Sequence, residues 1–388
     1  MALRFGRVAL LCVGVVALAG GATPIAGAPP TPPTLVLILD DDQRADTIQY
    51  MPILQRELVA RGVTFTNAFV TTPLCCPSRA SLLRGQYAHN TGVLTNGGGD
   101  LPGERESRHP GGAEAFDDRS TLATWLKAAG YRTGLFGKYL NGYMQLTTRV
   151  PQGWDEWVVF AGGFFGYRLN ENGSVRRMGA APEDYGTDVI ARRAVQFIER
   201  GGSAPLFVYL APFAPHDPAT PHPRDAAAFR DLAPWRPPSY NEADLSDKPQ
   251  WVRRLPSLTP QRQAQGDEFR RQQLRSLQAV DRAIGEIIEA LRRTGRLEGG
   301  VILFTADNGL SWGEHRWLDR KSCAYEECVR VPFVVRGPGI PAGRTDARFV
   351  LNVDIAPTFA ELAGVRPGLP VDGRSLLPLL RGGDAAWR

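Results

Sequence analysis

Cys75 opens the segment Cys75-Cys76-Pro77-Ser78-Arg79-Ala80-Ser81-Leu82-Leu83-Arg84-Gly85, which sets a thiol at the start of a helical run. Proline followed by serine suits a helix entry, and Ala-Ser-Leu-Leu continues it. Cys75 is expected just ahead of the helix N-terminus, where free backbone N–H groups and the dipole favour an anion. Arg79 falls about one turn later and adds a fixed positive charge on the same side. Two cysteines beside a helix cap are, taken alone, a packing feature. With Arg79 they make a place that favours an anion.

The other reactive residues fall at the ends of apolar runs. Asp40, Asp41 and Asp42 follow Leu35–Leu39, and Gly137 and Lys138 follow Tyr131–Phe136. His216 lies beyond Leu206–Leu210, and Asp307 and Asn308 follow Val301–Thr305. One strand-end aspartate is commonly a turn former or cap. Four strand ends that all carry ionic or amide groups ask for another explanation. Three aspartates in a row are costly unless solvated or matched by a cation. Asp41, Asp42, Asp307 and Asn308 form an all-oxygen set, which suits a hard ion, calcium or magnesium, better than zinc.

The elements that must position these residues alternate between short apolar runs and amphipathic stretches, the pattern of parallel βαβ units. Strands are predicted at Leu35–Leu39, Tyr131–Phe136, Leu206–Leu210, Val301–Thr305 and Val331–Val335. Helices are predicted at Thr121–Ala129, capped by Ser120, and at Tyr185–Arg200, Asp267–Arg293 and Asp354–Ala363. The Pro- and Asp-rich stretch from Phe213 to about Pro260 reads as a surface excursion. In an open α/β sheet the carboxyl ends of the strands line one crevice. The reactive residues therefore converge on one edge.

Composition fits a large globular enzyme. The chain has 388 residues, with 45 Lys+Arg against 40 Asp+Glu. Arg4 and Arg7 precede the apolar run Val8–Ala19 and belong to a secretory signal over residues 1–28, followed by a Pro-rich spacer at 29–33 and one catalytic domain over 34–388. A small basic excess without basic–aromatic tracts argues against nucleic acid as a partner. Nothing beyond the signal is long enough for stable membrane insertion. The product is expected to be secreted. Past the signal, four cysteines remain; neighbouring Cys75 and Cys76 are poorly placed to pair with each other, and the state of Cys323 and Cys328 stays open.

Together these segments resemble the type I sulfatases. The Cys75–Gly85 run matches their Cys-x-Pro-Ser-Arg signature with its Leu-x-Gly ending, with Arg84 where the family usually has Thr. Leu37-Ile38-Leu39-Asp40-Asp41-Asp42-Gln43 resembles their first strand. Phe136-Gly137-Lys138-Tyr139-Leu140-Asn141 and Ala214-Pro215-His216-Asp217-Pro218 resemble the N-acetylglucosamine-6-sulfatase and heparan endosulfatase branch, and Thr305-Ala306-Asp307-Asn308-Gly309 matches a further family motif. The match runs from about Thr34 to Leu380. It implies an alkaline-phosphatase-like three-layer α/β/α sandwich with a mainly parallel central sheet, whose usual small C-terminal antiparallel subdomain is incomplete or missing here.

The resemblance also implies the chemistry. Cys75 is oxidised to formylglycine (3-oxoalanine) by the formylglycine-generating enzyme, and its hydrate attacks sulfur beside a divalent cation held by Asp41, Asp42, Asp307 and Asn308. Arg79, Lys138 and Lys321 surround the sulfate, and His216, with Lys321, protonates the leaving oxygen. The position that many relatives give to a base for sulfate elimination is Leu140, with His89 as a candidate replacement; His315 is expected to face the substrate pocket. His109 and His222 are given no role. The implied substrate is a sulfate ester, a 6-O-sulfated N-acetylglucosamine of glycosaminoglycans or an aryl sulfate. The alternatives are a phosphonate or phosphate ester hydrolase of the same superfamily, and a non-catalytic polyanion-binding protein if Cys75 stays a thiol.

Overall fold

The computed structural model of the protein describes residues 32–97, 110–383 and 387–388. The expected signal over 1–28, residues 29–31 of the spacer and His109 lie outside the described residues. Strand β1, Leu35–Asp40, is buried along its whole length. A strand that apolar must be covered on both faces. Leu35, Leu37 and Leu39 point into one core, and Val36 and Ile38 into a second.

After β1 come Val63–Phe65 (β2), Cys75–Arg84 (α1), Leu122–Ala128 (α2), Arg132–Lys138 (β3), Glu156–Phe160 (β4), Arg168–Glu171 (β5) and Ser174–Arg177 (β6). Then follow Gly186–Glu199 (α3), Leu206–Ala211 (β7), Pro260–Arg293 (α4), Val301–Ala306 (β8), Phe333–Arg336 (β9), Arg344–Asp346 (β10) and Ile355–Leu362 (α5). Ten strands form one sheet in the order β10-β2-β9-β8-β1-β7-β3-β4-β5-β6. Its centre, β8-β1-β7-β3-β4, is parallel throughout. Antiparallel β9 pairs with β8 and β2 on one flank, and β5 and β6 extend the other.

Helices α1, α2 and α5 bury Leu82, Leu126 and Phe359 in the first core, while α3 and α4 bury Ile190 and Ile284 in the second. This is the three-layer sandwich expected. Strands β4 to β6 go beyond the alternation visible in the sequence, since β6 is mostly exposed and shows no apolar face. Helix α4 starts at Pro260 rather than Asp267, because Thr259 accepts from the Arg262 N–H and Pro260 fills the first position. Thr121, not Ser120, caps α2; the Ser120 hydroxyl instead accepts from Trp125 Nε1 at 2.9 Å. The excursion after β7 carries only two short helical turns among its described residues, Pro223–Asp225 and Gln250–Arg253.

Four neighbouring parallel strands, β8, β1, β7 and β3, deliver the reactive residues at their carboxyl ends. The Asp307 N–H donates to the Asp40 carbonyl at 3.0 Å, and the Asp41 N–H to the Ala214 carbonyl at 3.3 Å, so the loops leave the sheet side by side. Gly137 lets Lys138 join them. Its φ is +123°, and a Cβ there would stand 1.9 Å from the Ala211 carbonyl oxygen of β7. Gly137→Ala is therefore expected to lower stability by roughly 2–6 kcal/mol, combining backbone strain with overpacking. Urea unfolding checks this, and a midpoint within error of the parent would refute the close-approach argument.

Candidate active site

Helix α1 begins at Cys75 itself, with Leu74 as the extended N-cap and the Ser78 N–H donating to the Leu74 carbonyl at 3.0 Å. Cys75 thus lies in the first turn rather than ahead of it. It is fully buried, as is Arg79 one turn along. The Cys75 thiol lies 3.4 Å from Asp41 Oδ1, and Lys321 Nζ lies 2.8 Å from Cys75 Sγ. Lys321 Nζ also donates to Asp42 Oδ1 at 2.7 Å, and Lys138 Nζ donates to Asp41 Oδ2 at 2.5 Å. Arg79 Nε donates to Asp307 Oδ2 and Nη1 to the Lys138 carbonyl, both at 2.8 Å. His216 Nε2 stands 3.7 Å from Asp42 Oδ2, with its ring stacked on Phe213.

Burial decides how these groups ionise, and the pairing then corrects it. Burial works to strip Lys138 of its proton, but Asp41 holds the ammonium above its ordinary range. Burial acts likewise on Lys321, and Asp42 and Cys75 outweigh it. For Asp41, burial pulls upward while Lys138, His216 and Arg79 hold the carboxyl well below the usual range. Asp307 goes the other way: burial and Asp41 raise it despite Arg79 beside it. Burial and Asp41 also push the Cys75 thiol up. An unmodified Cys75 would stay protonated there, and the thiol is the weak form of that nucleophile.

A hard cation fits the donors. Ligand atoms of Asp41, Asp42, Cys75 and His216 all lie within 4.8 Å of one another. The Asp42 N–H donates to Asp307 Oδ1 at 3.1 Å, and Asn308 Nδ2 donates to Asp42 Oδ1 at 2.7 Å, which brings Asp307 and Asn308 into the same group. That amide orientation leaves Asn308 Oδ1 buried without a hydrogen-bond partner. An orphaned amide oxygen among carboxylates is the donor set of calcium or magnesium.

The candidates His89 and His315 stand apart from this centre. His89 is exposed on the short helix Ala88–Thr91, stacked on Tyr87, and bonds to no member of the cluster among the described residues. His315 is buried, stacked on Tyr325 at 4.0 Å, with Nδ1 3.3 Å from Glu242. Its stack on Tyr325 ties it to the segment after Lys321. Leu140 packs in the first core. Cys323 and Cys328 are bridged, which closes a small loop directly after Lys321.

Sequence reasoning counted Asp40 in the acidic run without giving it a role, and passed over Arg44 and Glu314. Both Asp40 carboxyl oxygens are buried without a partner, and burial with Asp307 and Asp41 pushes this carboxyl well above its usual range. Arg44 Nη1 donates to the Leu310 carbonyl at 3.1 Å and to Glu314 Oε1 at 3.0 Å, and its guanidinium lies over the Trp312 ring at 4.2 Å. Glu314 also accepts from Trp235 Nε1, the Ser311 hydroxyl and the Trp312 N–H. This network ties the loop after β1 to the loop after β8, which carry the candidate cation ligands between them. The only signal for it was an Arg and a Glu flanking the two motifs.

A family model described as Sulfatase matches residues 33–365. The Drosophila melanogaster extracellular sulfatase SULF-1 homolog is 36% identical over 366 residues, 92% of this chain and 32% of that protein. Human N-acetylglucosamine-6-sulfatase is 32% identical over 393 residues, 97% of this chain and 68% of that protein. A solved structure described as a complex with its substrate D-glucosamine-2-N,6-O-disulfate is 25% identical, with a TM-score of 0.74, covering 92% of this chain and 82% of that one. The chain spans from 32% to 61% of the length of the first curated relatives it matches.

The Arg44–Glu314 pair supplies a test of the site's framework. Glu314→Ala leaves Arg44 paired with Asp46 but takes the acceptor away from Trp235 Nε1, the Ser311 hydroxyl and the Trp312 N–H, and should cost about 1–3 kcal/mol. Glu314→Gln, which keeps several hydrogen bonds, should cost less. Thermal and urea unfolding of both variants would measure this, and equal losses would argue against a brace held by these hydrogen bonds.

Proposed function

Because the chain belongs to the sulfatase family, we propose that it is a secreted sulfuric ester hydrolase acting on 6-O-sulfated N-acetylglucosamine units of glycosaminoglycans. One observation carries the reading. Lys321 Nζ touches both Cys75 Sγ and Asp42, so the nucleophile position, an anion clamp and the cation ligands meet at one ammonium group. The substrate class rests on relatives named N-acetylglucosamine-6-sulfatase and on the neighbour bound to a disulfated glucosamine. Secretion is supported by relatives named extracellular, and no helix among the described residues is long and apolar enough to cross a membrane.

Asp41, Asp42, Asp307 and Asn308 would hold calcium or magnesium, which when bound supplies Lewis-acid polarisation at the reacting oxygens. Cys75, matured to formylglycine by the formylglycine-generating enzyme, would supply an aldehyde hydrate in place of the thiol. The chain's own cations do the rest. Arg79 is fixed by Asp307 and the Lys138 carbonyl, and with Lys138 and Lys321 it faces the sulfate oxygens with charge that needs no reorganisation. His216 Nδ1 lies 2.8 Å from the Asp217 carbonyl, an acceptor only, so Nδ1 carries a proton there. Nε2 is then the atom that exchanges a proton with the leaving oxygen.

Mass analysis of the Cys75 peptide from an active preparation should show formylglycine, and an unmodified, fully active protein would sink this mechanism. Cys75→Ala should abolish turnover. His216→Ala should slow a sugar sulfate by about 10²–10⁴, the range for a lost general acid, and an aryl sulfate much less, because a phenolate leaves without help. Equal losses on both substrates would remove His216 from that role. Faster turnover of an aryl phosphate diester than of aryl sulfate would instead favour the phosphonate or phosphate ester reading.

Chelation tests the cation site independently of activity. At a free calcium concentration a hundred times its Kd, binding to the folded state adds about 2.7 kcal/mol of stability. A chelator should lower the unfolding temperature of the parent but not of Asp42→Ala. An unchanged parent transition would count against the site.

A further inference from the structure

Beside the centre, an aromatic pair stands at the surface with unmatched positive charge. Trp251 is 44% exposed, rare for an indole in this protein. Its ring meets Trp317 edge to face with centroids 5.1 Å apart, and the Arg320 guanidinium lies over Trp317 at 5.4 Å. Trp317 Nε1 donates to the Lys321 carbonyl at 3.3 Å. Trp317 is thereby fixed to the residue whose ammonium contacts Cys75. The turn Gln250–Arg253 carries Trp251 and exposed Arg253, and exposed Arg254 follows three residues after Trp251, on the same face.

The charges here are not matched internally. Arg253, Arg254 and Arg320 make no ion pair within 4.0 Å among the described residues, although Asp319 acts on Arg320 from farther off. Their basic neighbours do: Lys248 pairs with Glu242 and Asp247, and Arg262 lies 3.8 Å from Asp319. Arg316 donates to the carbonyls of Glu242, Ala243 and Leu255, which locks the Trp251 segment against the Trp317 hairpin. The platform is therefore built, not two loose loops. A purely apolar partner would bury Arg253 and Arg254 without counter-charge, and Arg320 with only the Asp319 it shares with Arg262. An anionic sugar chain suits both features, since indoles cover the C–H faces of pyranose rings and guanidinium forks pair with sulfate and carboxylate.

We propose that Trp251 and Trp317, with Arg253, Arg254 and Arg320, form a secondary binding surface for a sulfated glycan chain. It engages sugars beyond the one whose ester enters the Cys75 centre. This assignment rests on the sulfated-glucosamine reading above, and it adds that the protein recognises polymer rather than the isolated sugar.

The test uses the full chain carrying Cys75→Ala, so that nothing turns over. Calorimetric titration compares a sulfated, glucosamine-containing hexasaccharide with glucosamine-6-sulfate. Trp251→Ala and the double variant Arg253→Gln/Arg254→Gln should each weaken the hexasaccharide about tenfold, the scale of losing one well-placed contact group, and leave the monosaccharide unchanged. Parent-like hexasaccharide affinity in both variants would overturn the proposal. So would equal affinity for a single-stranded DNA of matched charge. In the Cys75 protein the same variants should keep aryl sulfate turnover. A Cys75 protein without any turnover would defeat the proposed function while leaving the titration readable.

Discussion

The centre depends on pairing charges where water cannot reach them. Arg79, Asp41 and Asp307 have no exposed side-chain surface, and Lys138 has almost none. Unpaired, any one of them would cost several kcal/mol, and the lysine or an aspartate would shift its proton to become neutral, which Arg79 would not do. Paired as Arg79–Asp307, Lys138–Asp41 and Lys321–Asp42, three cations offset three carboxylates in one buried volume. The arrangement has little tolerance, since removing one member leaves its partner uncompensated. It also keeps positive charge fixed before an anion arrives, which is how a site stabilises a charged transition state without reorganising.

Such a cluster needs rigid support, and the central sheet supplies it. Parallel strands buried on both faces end at the same level, so their carboxyl-terminal loops emerge side by side. Backbone bonds from Asp41 to Ala214 and from Asp307 to Asp40 hold the loops in that order. The Arg44–Glu314 network joins the loops after β1 and β8 a second time, with Trp235 and Trp312 shielding the guanidinium. Around Lys321 the support is different in kind. A disulfide, the His315–Tyr325 stack and the Trp317 bond to its carbonyl all act on a segment outside the main sheet.

The core strands were legible because burial on both faces leaves a continuous apolar run, as in Leu35–Leu39 and Val301–Thr305. Strands β5 and β6 were not, because their short, charged sequences pair at a sheet flank where backbone bonds, not apolar side chains, specify them. The start of α4 was hidden for a similar reason. Its first turn, Pro260 to Gln263, is polar and solvent-facing, and only the Thr259 cap marks it. Among site residues, those next to a strand end were readable from position alone. Arg44 and Glu314 were not, since an arginine near an aspartate run looks like solvated surface until aromatic rings close over it.

The sequence by itself determined the inventory: a cysteine at a helix start, an arginine one turn on, acidic and amide groups at strand ends, and a lysine and a histidine in later loops. Local order is enough for that, because each residue's chemistry and its distance from the nearest element are encoded within a few positions. Only the tertiary structure decided the partners. Lys321 lies 246 residues from Cys75 and 279 from Asp42, and no local rule brings them to hydrogen-bond distance. It also set His216 beside Asp42 and His315 on Tyr325, since which group a histidine meets depends on how distant loops pack. Sheet order made that choice by placing β8, β1, β7 and β3 side by side.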